Sequence, residues 1–233
     1  MNPLYIQLGV LAALAVALGG VIARRRVSEC WMFPVYLAVV LACEGAVLLW
    51  PERFFVWSAY VIRQWTYDLC MLGVALELAR RAFMAFPGAR ATARPVFLAI
   101  LAITAISIFA ATPAGTRGNA SYYITAMLTI EPRLLNMTIG LFVATARLVI
   151  FFNIPVSDWH RAISLGFAFY LVVSVTGLNL LRTFGFNLYP VITFWDGSAY
   201  LALGAWWASA AWQQVEARAV VPASVHRLAA ARA

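Results

Sequence analysis

The chain has no lysine: all 17 of its basic residues are arginine. Covalent retinal chemistry is therefore excluded, because a Schiff base needs a side-chain amine. Histidine is nearly as scarce. His160 and His226 both fall outside the apolar stretches. Paired axial ligands for a b-type haem and histidine-box di-iron sites thus have no residues to draw on within a membrane. The three cysteines, Cys30, Cys43 and Cys70, show no C-x-x-C spacing. Cys43 and Cys70 lie inside apolar stretches and read as small apolar fillers. No glycine-rich phosphate loop occurs. Charged residues make up only 11% of the chain, against about 25% in a typical soluble domain. No cofactor and no metal site is expected from this inventory, and no catalytic residue is assigned.

What fills the 233 residues is apolar: 64% of them are hydrophobic. A membrane-crossing helix needs about 20 mostly apolar residues. Seven stretches meet that requirement, at 4–23, 32–50, 55–79, 95–112, 133–152, 163–183 and 191–213. Short polar connections separate them. The expected fold is an all-α membrane protein, a seven-transmembrane-helix bundle over 1–213 followed by a basic cytoplasmic tail at 214–233. Met1 to Gln7 holds no basic residue and no clean cleavage site follows, so the first stretch reads as a retained span.

Arginine sorts by loop. Arg24, Arg25 and Arg26 lie in the first, Arg80, Arg81, Arg90 and Arg94 in the third, Arg161 in the fifth, and Arg218, Arg227 and Arg232 in the tail; the alternate loops hold Arg53, Arg117 and Arg182. The positive-inside rule then places the N-terminus outside and the C-terminus in the cytoplasm of a bacterial inner membrane, as a multi-pass protein. The net charge of +8 suits contact with anionic lipid headgroups on the cytoplasmic side. No aromatic-lined basic groove suggests a nucleic-acid partner.

Trp31, Trp50, Trp57, Trp159, Trp195, Trp206, Trp207 and Trp212 fall near span ends and read as an interfacial belt. Gly9, Ala13 and Ala17, and again Gly204 and Ala208, recur every fourth residue, which lets helix backbones approach closely. Glu131-Pro132 reads as a helix start, an acid near the dipole and proline in the first turn. The preceding 121–130 segment reads as a separate interfacial helix or lid.

Several segments carry a resemblance. They are Glu77-Leu78-Ala79-Arg80-Arg81-Ala82-Phe83, Glu131-Pro132-Arg133-Leu134-Leu135-Asn136, Gly140-Leu141-Phe142, the turn from His160 to Gly166 with Gly166-Phe167-Ala168, and Ala199-Tyr200-Leu201 through Trp206-Trp207. Together they resemble a family of seven-helix membrane proteins common in acidobacterial genomes, a family without an established activity. The resemblance implies a stand-alone seven-helix bundle in a bacterial inner membrane and transfers no catalytic residue.

Polar residues inside the spans are expensive and normally face the bundle interior. With the topology above, Glu44, Arg63, Asp68, Arg133, Asn136, Asn179, Arg182, Asp196 and Tyr200 share the outer half. Three acids and three arginines at similar depth predict mutual pairing. Gln64 and Asp68 lie one turn apart, as do Asp196 and Tyr200; Thr176, Asn179 and Arg182 step by three into a stripe. These nine residues are the candidate ligand-binding set, expected to look into one outward-opening cavity. In the inner half, Glu77 and Arg81 form an i, i+4 pair, and His160 reads as a solvated loop histidine.

Four function classes follow. A non-enzymatic, receptor-like or sensor-like module, signalling through a separate membrane or cytoplasmic protein partner, suits an outward polar cavity and a basic inner face. An accessory subunit of a larger membrane complex suits the short loops. A transporter or channel would need a polar path through the inner half, where apart from Glu77 near the end no span offers one. An intramembrane aspartyl hydrolase would use Asp68 and Asp196, but the Gly-x-Gly-Asp signature is absent.

Overall fold

The computed structural model describes residues 3–54, 56–84, 120–151 and 157–213, with isolated positions at 95, 99 and 102. Among the described residues the chain is all helical. Helix α1 is Pro3–Ala23, α2 Met32–Leu49, α3 the single turn Pro51–Phe54, α4 Trp57–Met84, α5 Ala120–Phe151, α6 Asp158–Phe184 and α7 Tyr189–Trp212. Six of these are long. The expected span at 95–112 and the tail at 214–233 lie outside the described residues. Three helices, Leu4–Ala23 within α1, α2 and α6, are long and apolar enough to cross a membrane. The other three long helices, α4, α5 and α7, carry Arg63, Asp68, Glu131 and Asp196 in their length.

Local signals explain most boundaries. Ser157 caps α6, its hydroxyl accepting from the His160 N–H, while Asp158 stands in the first turn and Arg182 in the last, each complementing the helix dipole. Gly185, at φ 78°, ends α6 in a backbone conformation that glycine adopts without steric cost. Pro190 sits in the first turn of α7, where its missing N–H costs nothing.

One boundary differs from expectation. Glu131-Pro132 does not start a helix: α5 begins at Ala120 and runs through Pro132 for 32 residues. At 1.5 Å per residue that is about 48 Å, well beyond a bilayer core of about 30 Å. Proline inside a helix removes one backbone bond and kinks it, a defect that neighbouring helices absorb in membrane proteins.

The helices pack through small residues and one aromatic layer. Helices α1 and α7 run in the same direction with their backbones close. A Cβ on Gly204 would meet that of Ala13 at 3.1 Å, and one on Gly20 would meet that of Ala211 at 2.8 Å. The small-residue spacing read from the sequence is thus a packing seam. Toward the end where α2 begins, Phe33, Phe167 and Trp207 are fully buried. The Phe33 ring meets Trp207 edge-on at 5.0 Å and Phe167 at 6.2 Å, and Phe142 stacks on Phe167 at 5.6 Å, geometries that aromatic quadrupoles favour. Two tryptophans expected in the interfacial belt belong to this interior instead: Trp159 and Trp207 are 3% and 0% exposed, whereas Trp31, Trp50, Trp195, Trp206 and Trp212 are exposed.

Candidate functional site

The aromatic layer separates two polar ends. At one end α2 closes, α4 and α7 open, and α1 begins. Glu44, on α2, is half-buried and collects three donors. Tyr67 Oη donates to its Oε1 at 3.1 Å, Gln7 Nε2 donates to its Oε2 at 3.0 Å, and Arg63 Nη1 lies 3.5 Å from Oε1. The Arg63 guanidinium also sits 5.4 Å from the Tyr60 ring centre, within cation–π range.

Three further acids gather beside this pair. Asp68 is 1% exposed and Glu131 3%. Gln64 Nε2 donates to Asp68 Oδ1 at 3.5 Å. Glu131 stands within electrostatic reach of both Asp68 and Asp196. Tyr170 Oη donates to Asp196 Oδ2 at 3.4 Å. Yet Asp68 Oδ2, Glu131 Oε2 and Asp196 Oδ1 are shut off from solvent and have no hydrogen-bond partner among the described residues. A tyrosine chain borders the acids: Tyr36 and Tyr200 share a 2.6 Å hydrogen bond, and the rings of Tyr170 and Tyr200 lie 4.9 Å apart.

A cavity of about 660 Å³ opens beside these groups, walled by α1, α2 and α7. Its lining includes Gln7, Glu44, Asp196, Tyr200, Tyr189 and Phe194. That volume lies in the range of small-molecule sites.

Of the nine candidate residues, Glu44, Arg63, Asp68, Asp196 and Tyr200 meet at this end. Arg133, Asn136, Asn179 and Arg182 do not: all four are exposed. The reason is angular. Arg133 follows Glu131 by two residues, about 200° around the helix, so burying Glu131 turns Arg133 outward. The stripe of Thr176, Asn179 and Arg182 is real but faces away from Leu171, Val175 and Leu178, which are buried. Thr176 spends its hydroxyl on the Val172 carbonyl of its own helix, at 2.7 Å. The expected pairing of three acids with three arginines therefore reduces here to Glu44 with Arg63. Gln7, Tyr36, Tyr67, Tyr170 and Glu131 join the site without having been placed in it from the sequence.

The opposite end is fully partnered at its carboxylate. Glu77 Oε1 accepts from Arg81 Nη2 at 2.7 Å and Nε at 3.0 Å, and from the Trp31 N–H at 3.1 Å; its Oε2 accepts from the Met32 N–H at 2.8 Å and the Cys30 thiol at 3.3 Å. The first N–H groups of α2 thus receive an acid, as a helix N-terminus favours. Burial, with Glu77 second, pushes the Cys30 thiol up to about 12. Arg26, buried in the turn after α1, donates to the Ala210 and Gln213 carbonyls at 3.1 and 2.6 Å and stacks 5.2 Å from the Trp159 ring. His160 is half-buried rather than solvated, with Nε2 2.7 Å from the Glu29 carbonyl oxygen.

The arrangement is not that of an aspartyl dyad, which needs two carboxyls sharing a proton. Asp68 and Asp196 share no hydrogen bond among the described residues. No group of three metal-ligating side chains stands together among the described residues. No family model, curated protein or solved structure matches the chain.

Proposed function

We propose that this chain is a multi-pass module of a bacterial inner membrane, with its N-terminus outside, that binds a ligand in its outward half and reports it to a separate protein on the cytoplasmic side. The observation that carries this reading is the cavity bordered by Glu44, Asp196 and Tyr200, beside carboxylates whose hydrogen bonds are incomplete. The buried rings of Phe33, Phe167 and Trp207 pack between the helices toward the Glu77 end, which favours sensing over conduction.

Two helices link the ends. Helix α4 carries Asp68 and Glu77, and α7 carries Asp196 and the carbonyls that Arg26 holds. A ligand that prefers one packing of α7 against α1 shifts the population at the far end by its differential affinity. The basic inner face and the anionic headgroups it meets supply the docking side for a partner.

The test is a thermal-shift screen of chemically diverse small molecules against the wild type and Thr193→Trp, which fills the cavity from an exposed lining position. Hits that stabilise only the wild type should also change amide hydrogen exchange in residues 24–31. A screen in which no compound distinguishes the two proteins, or binding that leaves exchange at 24–31 untouched, overturns the reading.

A further inference from the structure

We propose that the cavity takes a small organic cation, an ammonium group carried on a compact apolar or aromatic body. This rests on the reading of the cavity as a ligand site and names its ligand class.

Charge balance is the first argument. Glu44, Asp68, Glu131 and Asp196 gather at this end, and among the described residues the guanidinium that reaches them is that of Arg63, which is spent on Glu44. An isolated buried carboxylate is so costly that it must be balanced by a proton or a cation. Asp196 is the acid that both lines the cavity and keeps an unpartnered oxygen, Oδ1, out of solvent's reach. Glu131, which like Asp68 has an unpartnered oxygen of its own, stands close to it.

The wall is the second argument. Among the described residues no basic side chain lines the cavity, while the carboxyls of Glu44 and Asp196 do, so the wall offers an anion no opposite charge. Ile6, Val10 and Phe194 give the wall an apolar surface, and Tyr189 and Tyr200 add rings of the kind that attract cations. A bare divalent ion does not suit the space, because no three ligating side chains converge among the described residues. A cation with an apolar body satisfies both wall and charge.

The experiment measures binding of benzylammonium, benzyl alcohol and benzoate to the full-length chain in lipid nanodiscs at pH 7, with empty nanodiscs subtracted. The proteins are wild type, Asp196→Asn, Thr193→Trp and, as a surface control, Arg182→Gln. Benzylammonium should bind the wild type and Arg182→Gln alike, bind Asp196→Asn about tenfold more weakly or worse, and lose its binding to Thr193→Trp; a tenfold change is about 1.4 kcal/mol. Benzyl alcohol should bind about tenfold more weakly than the ammonium, and benzoate should not bind. Equal binding of alcohol and ammonium, benzoate binding, no ammonium binding, or an Asp196→Asn protein indistinguishable from wild type overturns the proposal. Benzoate or benzyl alcohol binding that Thr193→Trp abolishes would remove the cation and leave the cavity as a ligand site. Absence of a hit in the diverse screen removes both.

Discussion

Asp68 and Glu77 lie on the same helix nine residues apart, about 13.5 Å along its axis, and their surroundings are opposite. Glu77 receives an arginine, two backbone N–H groups and a thiol. Asp68 receives one amide at 3.5 Å and keeps an oxygen unpartnered. A complete set of donors is what a carboxylate has when its job is to hold helices in place. An incomplete set, beside two further acids and a cavity, is what a site has when part of its bonding is reserved for something else. The difference assigns structure to one end of the bundle and ligand chemistry to the other.

The largest expected effect tests the layer between the ends. Trp207 is completely buried against Phe33 and Phe167. Trp207→Ala should cost roughly 3–5 kcal/mol, the usual range for deleting a large buried ring, read as a lower melting temperature in detergent. A cost below about 1 kcal/mol would mean that the layer is not a packed barrier. Next comes Glu77→Ala. It strips two N–H groups of α2 and the Arg81 guanidinium of their acceptor, so a loss of about 2–3 kcal/mol is expected. Arg81 is about a third exposed, which keeps the ionic part of that loss small.

Asp68→Asn is the contrasting substitution. It replaces a buried carboxyl whose hydrogen bonds are incomplete by an amide of the same shape, so stability should stay within about 1 kcal/mol of wild type or rise. If Asp68→Asn destabilises as much as Glu77→Ala, the two carboxylates do the same work and the comparison between them collapses. Equal stability with altered binding of a cavity ligand would sharpen it.

Much of this architecture was legible in the sequence, and the limits have physical causes. Run length alone marked α1, α2 and α6, because about 20 mostly apolar residues in a row are rare in soluble proteins. The seam between α1 and α7 was legible from Gly9, Ala13 and Gly204, because close backbones need small side chains at helical spacing. The facing of polar residues was not. A polar stripe on a membrane helix can turn inward or outward, so the stripe of Asn179 and Arg182, read as facing the cavity, fixed a depth but not a direction. Glu131-Pro132 was ambiguous for another reason. The same dipeptide suits a first turn or a buried acid followed by a tolerated kink, and only the neighbouring Asp68 and Asp196 decide between them. Trp159 and Trp207 sit near span ends in sequence, and nothing local shows that one covers Arg26 and the other fills the core.

The smallest effect is also the one that reads the Glu77 end without altering it. Cys30 lies in the turn before α2, and its thiol is held up to about 12 from an ordinary value of 9.0, first by burial and then by the neighbouring Glu77. Below pH 9 the thiol is neutral in both folded and unfolded chains, so it contributes no pH dependence. Between about 9 and about 12 the unfolded chain loses the proton while the folded chain keeps it, so stability should fall as pH rises through that window. Cys30→Ala should remove this component of the slope. Alkylation of Cys30 should likewise stay slow at pH 9 in the folded protein, since the thiolate is the nucleophile, and accelerate in Glu77→Ala. Rapid wild-type labelling at pH 9 would show that the network around Glu77 opens readily, and would bring the partnered end of the bundle closer in character to the unpartnered one.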